Sequence, residues 1–180
     1  TLTSPASVPK TIDDYITRIE ESYGERSDLF HEVYSADTAA QASDAYLRSL
    51  GDRFFGVQMR QWARTTENVG SDAYLYYFSR VPPIENSEYR GAYHAAEIAY
   101  AFNNVGKSNS VTDKVDLELA DMISDYWVNF ARTGDPNDNR LPEWIPYTEK
   151  FGDFMELGDV PEAGNFLLKA QLDFLEAAQD

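Results

Sequence analysis

Ala73-Tyr74-Leu75-Tyr76-Tyr77-Phe78 opens, and Gly91-Ala92-Tyr93-His94-Ala95-Ala96-Glu97-Ile98-Ala99-Tyr100-Ala101-Phe102 closes, the stretch on which the fold turns. The first segment is apolar at odd and even positions alike, the pattern of a strand covered on both faces. Gly70-Ser71-Asp72 precedes it and Val81-Pro82-Pro83 stops it. A polar loop from Ile84 to Tyr93 then delivers His94, directly before an apolar run that reads as a helix beginning at Ala95. In an open α/β sheet, ligands bind beyond the carboxyl ends of strands, and this loop leaves such an end. A histidine there can carry protons both ways near neutral pH. The residues alone leave a second reading, in which His94 caps the helix or packs under the loop. Glu97 has two readings as well. In the first turn of a helix its carboxylate is favoured by the macrodipole, or it orders polar groups beneath a reactive site.

Downstream, Asp116 to Arg132 reads as a long amphipathic helix with Leu119, Met122, Ile123, Tyr126, Trp127, Phe130 and Ala131 on its apolar face. Gly134 is placed to end it, and Asp135-Pro136 prevents continuation. The end of this helix reads Tyr126-Trp127-Val128-Asn129-Phe130-Ala131-Arg132-Thr133-Gly134-Asp135-Pro136-Asn137. Both this segment and Gly91 to Phe102 resemble motifs of the type-B carboxylesterases, the cholinesterase-like branch of the α/β-hydrolases. They occur in the family's order, and the resemblance covers the second half of the chain closely and the first half in style.

The resemblance implies an α/β chain, the C-terminal portion of an α/β-hydrolase fold, mostly helices with a few strands that complete a larger central sheet. It implies that His94 is the catalytic histidine, with Glu97 beside it in a supporting role. The family nucleophile is a serine in a Gly-x-Ser-x-Gly elbow, and that pentapeptide is absent from the sequence. The family's acid precedes the histidine in an earlier turn, and the opening Thr1-Leu2-Thr3-Ser4-Pro5 resembles the stretch just after that turn. The expected partner is therefore an N-terminal part of the same enzyme carrying serine and acid, and the expected substrate a small carboxylic ester. No metal or organic cofactor is implied. An alternative within the same fold is a non-catalytic, cholinesterase-like interaction domain. A free-standing helical binding protein fits poorly, because the apolar strand needs neighbours for its backbone.

A formal charge of −16 argues against nucleic-acid binding, which relies on Lys and Arg. No apolar run approaches the ~18 residues of a membrane span. Cysteine is absent, and since eukaryotic secreted members of the resembled family usually carry disulfides, a bacterial enzyme, cytoplasmic or secreted, is expected.

The rest of the chain reads as helices. Thr11 opens the first, with Asp14 completing a capping-box pattern and Gly24 ending it. A short helix with Leu29, Phe30, Val33 and Tyr34 comes next, and His31 on it is read as a helix-face residue without chemistry. Thr38 to Leu50 is helical, Gly51-Asp52 is expected to break it, and Arg53 to about Asn68 forms another helix. Its Phe54, Phe55, Val57, Met59 and Trp62 are expected to pack in the core, though in the resembled family such helices also cover the active-site gorge. The resemblance implies one α/β-hydrolase portion over residues 1–180, with about 1–69 a helical, gorge-covering part and about 70–180 a part holding strand, histidine loop and C-terminal helices. Lys107 to Thr112 reads as a polar linker. Phe154 to Asp159 reads as a short strand near a sheet edge, and Asn165 as the cap of a final helix.

Overall fold

The structure, a computed structural model, describes residues 8–107 and 112–179. The opening Thr1-Leu2-Thr3-Ser4-Pro5 and most of the linker expected after Lys107 lie outside the described residues. Two compact units divide the chain: one runs up to Trp62 and resumes at Leu168, and the other is Ala63–Leu167.

The first unit is helical. α1 (Ile12–Tyr23) starts where Thr11 accepts a hydrogen bond from the Asp14 amide, and ends at Gly24, whose φ of 55° a side chain would resist. A 3-10 turn leads to α2 (Ser27–Val33), and α3 (Ala39–Gly51) opens on a full capping box between Thr38 and Gln41. The expected break at Gly51-Asp52 does not occur. Both residues keep helical dihedrals, and the chain widens into a π-helical turn, Asp52–Gly56, before α4 (Val57–Asn68). Glycine costs a helix about 1 kcal/mol, and packing meets that here. A Cβ at Gly56 would lie 2.8 Å from a Leu172 methyl, so the bulge lets α8 (Lys169–Ala177) approach closely. Tyr15, Ile19, Phe30, Ala42, Ala45, Val57, Leu172 and Leu175 form the core. Buried Arg60 is paired with Asp173 at 2.8 Å and Glu176 at 2.7 Å, which balances the cost of burying its charge.

Of the aromatic group expected in the core, only Val57 is buried. Phe54, Phe55 and Met59 are 54%, 40% and 41% exposed, and Trp62 is 67% exposed. The helical period turns them away from the core that Val57 joins, and they stay partly exposed.

The second unit is a three-stranded sheet against α7 (Lys114–Thr133). β1 (Tyr76–Phe78) pairs in parallel with β2 (Asp153–Leu157), and β2 pairs antiparallel with β3 (Glu162–Asn165), in the order β1-β2-β3. β2 is therefore the central strand rather than an edge. β3 is not foreseen by pattern because Glu162-Ala163-Gly164-Asn165 carries no apolar alternation. Asn165 does not cap the last helix either: it closes β3, and its amide donates to the Asp153 carboxylate and the Phe151 carbonyl. Leu168, with φ 46°, takes the capping position of α8 without a side-chain bond.

In the strand expected from Ala73, the Ala73 and Leu75 carbonyls accept from Tyr147 and Met155, but its ladder begins only at Tyr76. β1 lies at the sheet edge, and Tyr76 and Tyr77 are 36% and 40% exposed, so an element patterned for cover on two faces is half uncovered here. α7 begins earlier than the apolar pattern shows, at an Asp113–Asp116 capping box, and ends as expected where Gly134 (φ 82°) donates to the Phe130 carbonyl. Leu119, Ala120, Ile123 and Tyr126 meet Tyr100, Trp144, Met155 and Leu157 in the core. Phe130, expected on the buried face, is 49% exposed.

Candidate active site

β1 ends at Phe78, and the next two amides, Ser79 and Arg80, both bond the Leu157 carbonyl, so the exit from the strand is held against β2. Arg80 is buried and its guanidinium meets three carboxylates: Nε on Asp116 at 2.8 Å, Nη2 on Asp113 at 2.8 Å and Nη1 on Asp159 at 2.9 Å. The bond to Asp116 is the main reason that Arg80 holds its proton even more tightly than a free guanidinium. Asp113 is held below the usual carboxylate range by the Asp116 backbone amide, with Arg80 adding to the effect.

The loop expected after Val81-Pro82-Pro83 contains a single helical turn, α5 (Ser87–Arg90), entered at Asn86 (φ 61°) and left at Gly91 (φ 57°). His94 comes next, in an exposed turn of the segment that follows β1 in the chain. The helix expected from Ala95 begins only at Ile98, as α6 (Ile98–Ala101), because Ala95 sits at φ 71°. That left-handed region costs a non-glycine residue roughly 1 kcal/mol or more, and such strain gathers at functional sites. The turns between are closed by Ala96 donating to Tyr93, Ile98 to Ala95, and Tyr100 to Glu97.

Glu97 takes the position before α6, and its side chain makes no capping bond. It is half-buried on the same turn segment as His94. Partial burial, and then the Glu97 charge, hold the Tyr76 phenol above its ordinary value. His31, by contrast, is packed edge-on to Tyr15 and Phe30, at ring distances of 5.3 and 6.0 Å. Its Nε2 is buried without a hydrogen-bond partner, so it is more enclosed than a helix-face position implies.

Sequence reasoning missed Arg80, Asp113, Asp116 and Asp159. The available signals were an arginine two residues after an apolar strand and an Asp-x-x-Asp pair ahead of a helix. Tyr100 reads in the sequence as one apolar residue of a run, yet its hydroxyl bonds Asp116 at 2.7 Å, and burial pushes its ionisation well above the ordinary tyrosine range. A separate cavity of about 210 Å³ is walled by Tyr74, Tyr76, Trp127, Phe130 and Trp144. Among the described residues, no three His, Asp or Glu side chains gather as a metal site, and no helix is long and apolar enough to cross a membrane.

Residues 6–175 match the model of the family described as "Carboxylesterase family". The chain belongs to the carboxylesterase family. Among curated proteins this family member is similar to the medium-chain fatty acyl-CoA hydrolase precursor of Anas platyrhynchos, 29% identical over 84% of this chain and 28% of that protein. It is similar also to liver carboxylesterase 1 of Oryctolagus cuniculus, 30% identical over 77% of this chain and 25% of that protein, and to carboxylesterase 5A of Felis catus, 29% identical over 80% and 28%. The chain thus spans about a quarter of the length of these relatives.

The relatives correct one expectation. They are animal carboxylesterases, so a bacterial origin is not supported. The inference rested on the absence of cysteine, and that composition says only that the fold is held without disulfides. Buried ion pairs and two hydrophobic cores hold it instead.

Proposed function

We propose that this carboxylesterase-family chain is the C-terminal portion of a serine esterase, and that His94 is its catalytic histidine. The observation that carries the reading is the order of the chain: a parallel strand, its exit held by Arg80, and then a loop with an exposed histidine, the arrangement in which ligands bind past strand ends. In the assembled enzyme His94 takes the proton of a serine supplied by the N-terminal part as that oxygen attacks the ester carbon. It gives the proton to the departing alcohol, then draws one from water to release the acid. A carboxylate of the N-terminal part accepts a hydrogen bond from the other ring nitrogen and fixes the tautomer. Glu97 orders polar groups beneath the triad. Supporting the need for a partner are the exposed Phe54, Phe55 and Trp62 and the half-uncovered edge strand β1.

The test is hydrolysis of p-nitrophenyl butyrate by the complete polypeptide. The isolated chain is expected to do no better than free imidazole, while the complete protein turns the ester over. His94→Ala should lower kcat by on the order of 10⁴-fold, the scale of losing a triad member. A folded His94→Ala enzyme that keeps most of its activity would return His94 to a structural role.

A further inference from the structure

One oxygen atom joins the two ends of the segment that carries His94. Asp116 Oδ1 accepts from Arg80 Nε at 2.8 Å and from the Tyr100 hydroxyl at 2.7 Å. Arg80 stands at the exit of β1 and Tyr100 on α6, so the segment between them is closed into a loop by a carboxylate that is itself fully buried. The carboxylate is not free to follow the loop. Asp116 is locked in the first turn of α7, where its Oδ2 accepts the Asp113 amide while its own amide donates to Asp113. From Tyr100 the constraint runs back along the backbone, through its amide bond to Glu97, the Ile98 bond to Ala95 and the Ala96 bond to Tyr93. Between the last two lies Ala95, held at φ 71° against its own preference. A strained residue keeps such a conformation only where its surroundings over-determine it.

We propose that Tyr100 is a positioning residue for His94, acting through Asp116 and Arg80. The inference rests on His94 being the catalytic histidine. The hydroxyl of Tyr100 touches no reacting group. Its work is to keep α6 docked, so that the turn from Tyr93 to Ala96 stays closed and the imidazole stays aimed. Positional errors of about 1 Å can cost an enzyme on the order of 10²-fold in rate, and a single lost hydrogen bond at the far end of a one-turn helix falls below that ceiling.

Tyr100→Phe in the complete enzyme removes only the hydroxyl, and leaves the ring in the core and Asp116 paired with Arg80. The expected result is a fall in kcat of about tenfold with KM within about twofold, measured well below the melting temperature, as for an interaction that matters in the transition state. Hydrogen exchange at the Ala96 and Ile98 amides should speed up in the same variant. Asp116→Asn keeps one acceptor oxygen for Tyr100 and Arg80 but turns its NH2 onto the Asp113 amide, so it should release the side chain from α7 and lower kcat at least as far as Tyr100→Phe. A Tyr100→Phe enzyme that melts lower yet keeps kcat within twofold would show that the hydroxyl serves packing alone, and the proposal would fail. If His94→Ala is active, the catalytic reading itself fails, a result that the Tyr100 variant cannot mimic.

Discussion

Asn137 and Trp144 hold each other by backbone-mimicking bonds: the Asn137 carboxamide accepts from the Trp144 amide at 2.6 Å and donates to the Trp144 carbonyl at 2.9 Å. The segment that ends α7 is therefore a folding device. Asn129 bonds the Pro136 carbonyl, and the Thr133 hydroxyl ties the Asn129 and Asp135 carbonyls, so the chain reverses where Trp144 can enter the core. Asn137→Ala removes three side-chain bonds, these two and one to the Asp135 carboxylate, and leaves partly buried backbone groups unpaired, at a cost of roughly 1–3 kcal/mol. Equilibrium urea unfolding of the complete enzyme should show this as a lower midpoint with an unchanged slope, and kcat below the transition should stay near wild type.

At Ala95 the prediction is a gain. Ala95→Gly removes the side chain that resists φ 71°, but it also loosens the unfolded chain. Relief of ~1–2 kcal/mol against an entropic loss of about 0.4–1 kcal/mol leaves a net stabilisation between zero and about 1.6 kcal/mol. Thermal melting checks the sign. A lower melting temperature would mean that the turn beside His94 is not strained.

Asp52 sets a pH dependence in the first unit. Burial raises its pKa above the ordinary carboxylate value, more than the Tyr34 hydroxyl bonded to it at 2.7 Å lowers it. The folded chain thus binds this proton more tightly than the unfolded chain does. The group's stabilising contribution is complete below the unfolded carboxylate pKa and is lost as pH rises through the raised folded value. Asp52→Asn, which mimics the protonated state, should raise the melting temperature at about pH 7, with the difference narrowing toward about pH 4.

The isolated chain should self-associate. Phe54, Phe55, Met59 and Trp62 share one exposed stretch of helix, and β1 is a sheet edge with two exposed tyrosines. Light scattering on the chain alone is expected to find species larger than a monomer, and co-expression with the N-terminal part should suppress them. A monomer with a sharp two-state melt would count against the proposed assembly.

The features legible in the sequence are local or carried by motif. The caps at Thr11 and Gly24, the stop at Gly134, the long α7 and the strand leading to His94 all come from side-chain chemistry within a few residues. The family is legible in two segments that keep their order and their residues. Contacts between groups far apart in sequence settle the rest. Gly56 lets Leu172 come close, across more than a hundred residues. β2 is central because the unpatterned segment at Glu162 folds back on it. The aromatic residues around Phe54 lie outside the core because helical phase, and not composition, sets which face is buried. Asp116 could not be picked out from the other acidic residues of so acidic a chain. Its burial between Arg80 and Tyr100 makes sense only once strand, loop and helix have met, since a buried carboxylate is tolerable only where its partners arrive together.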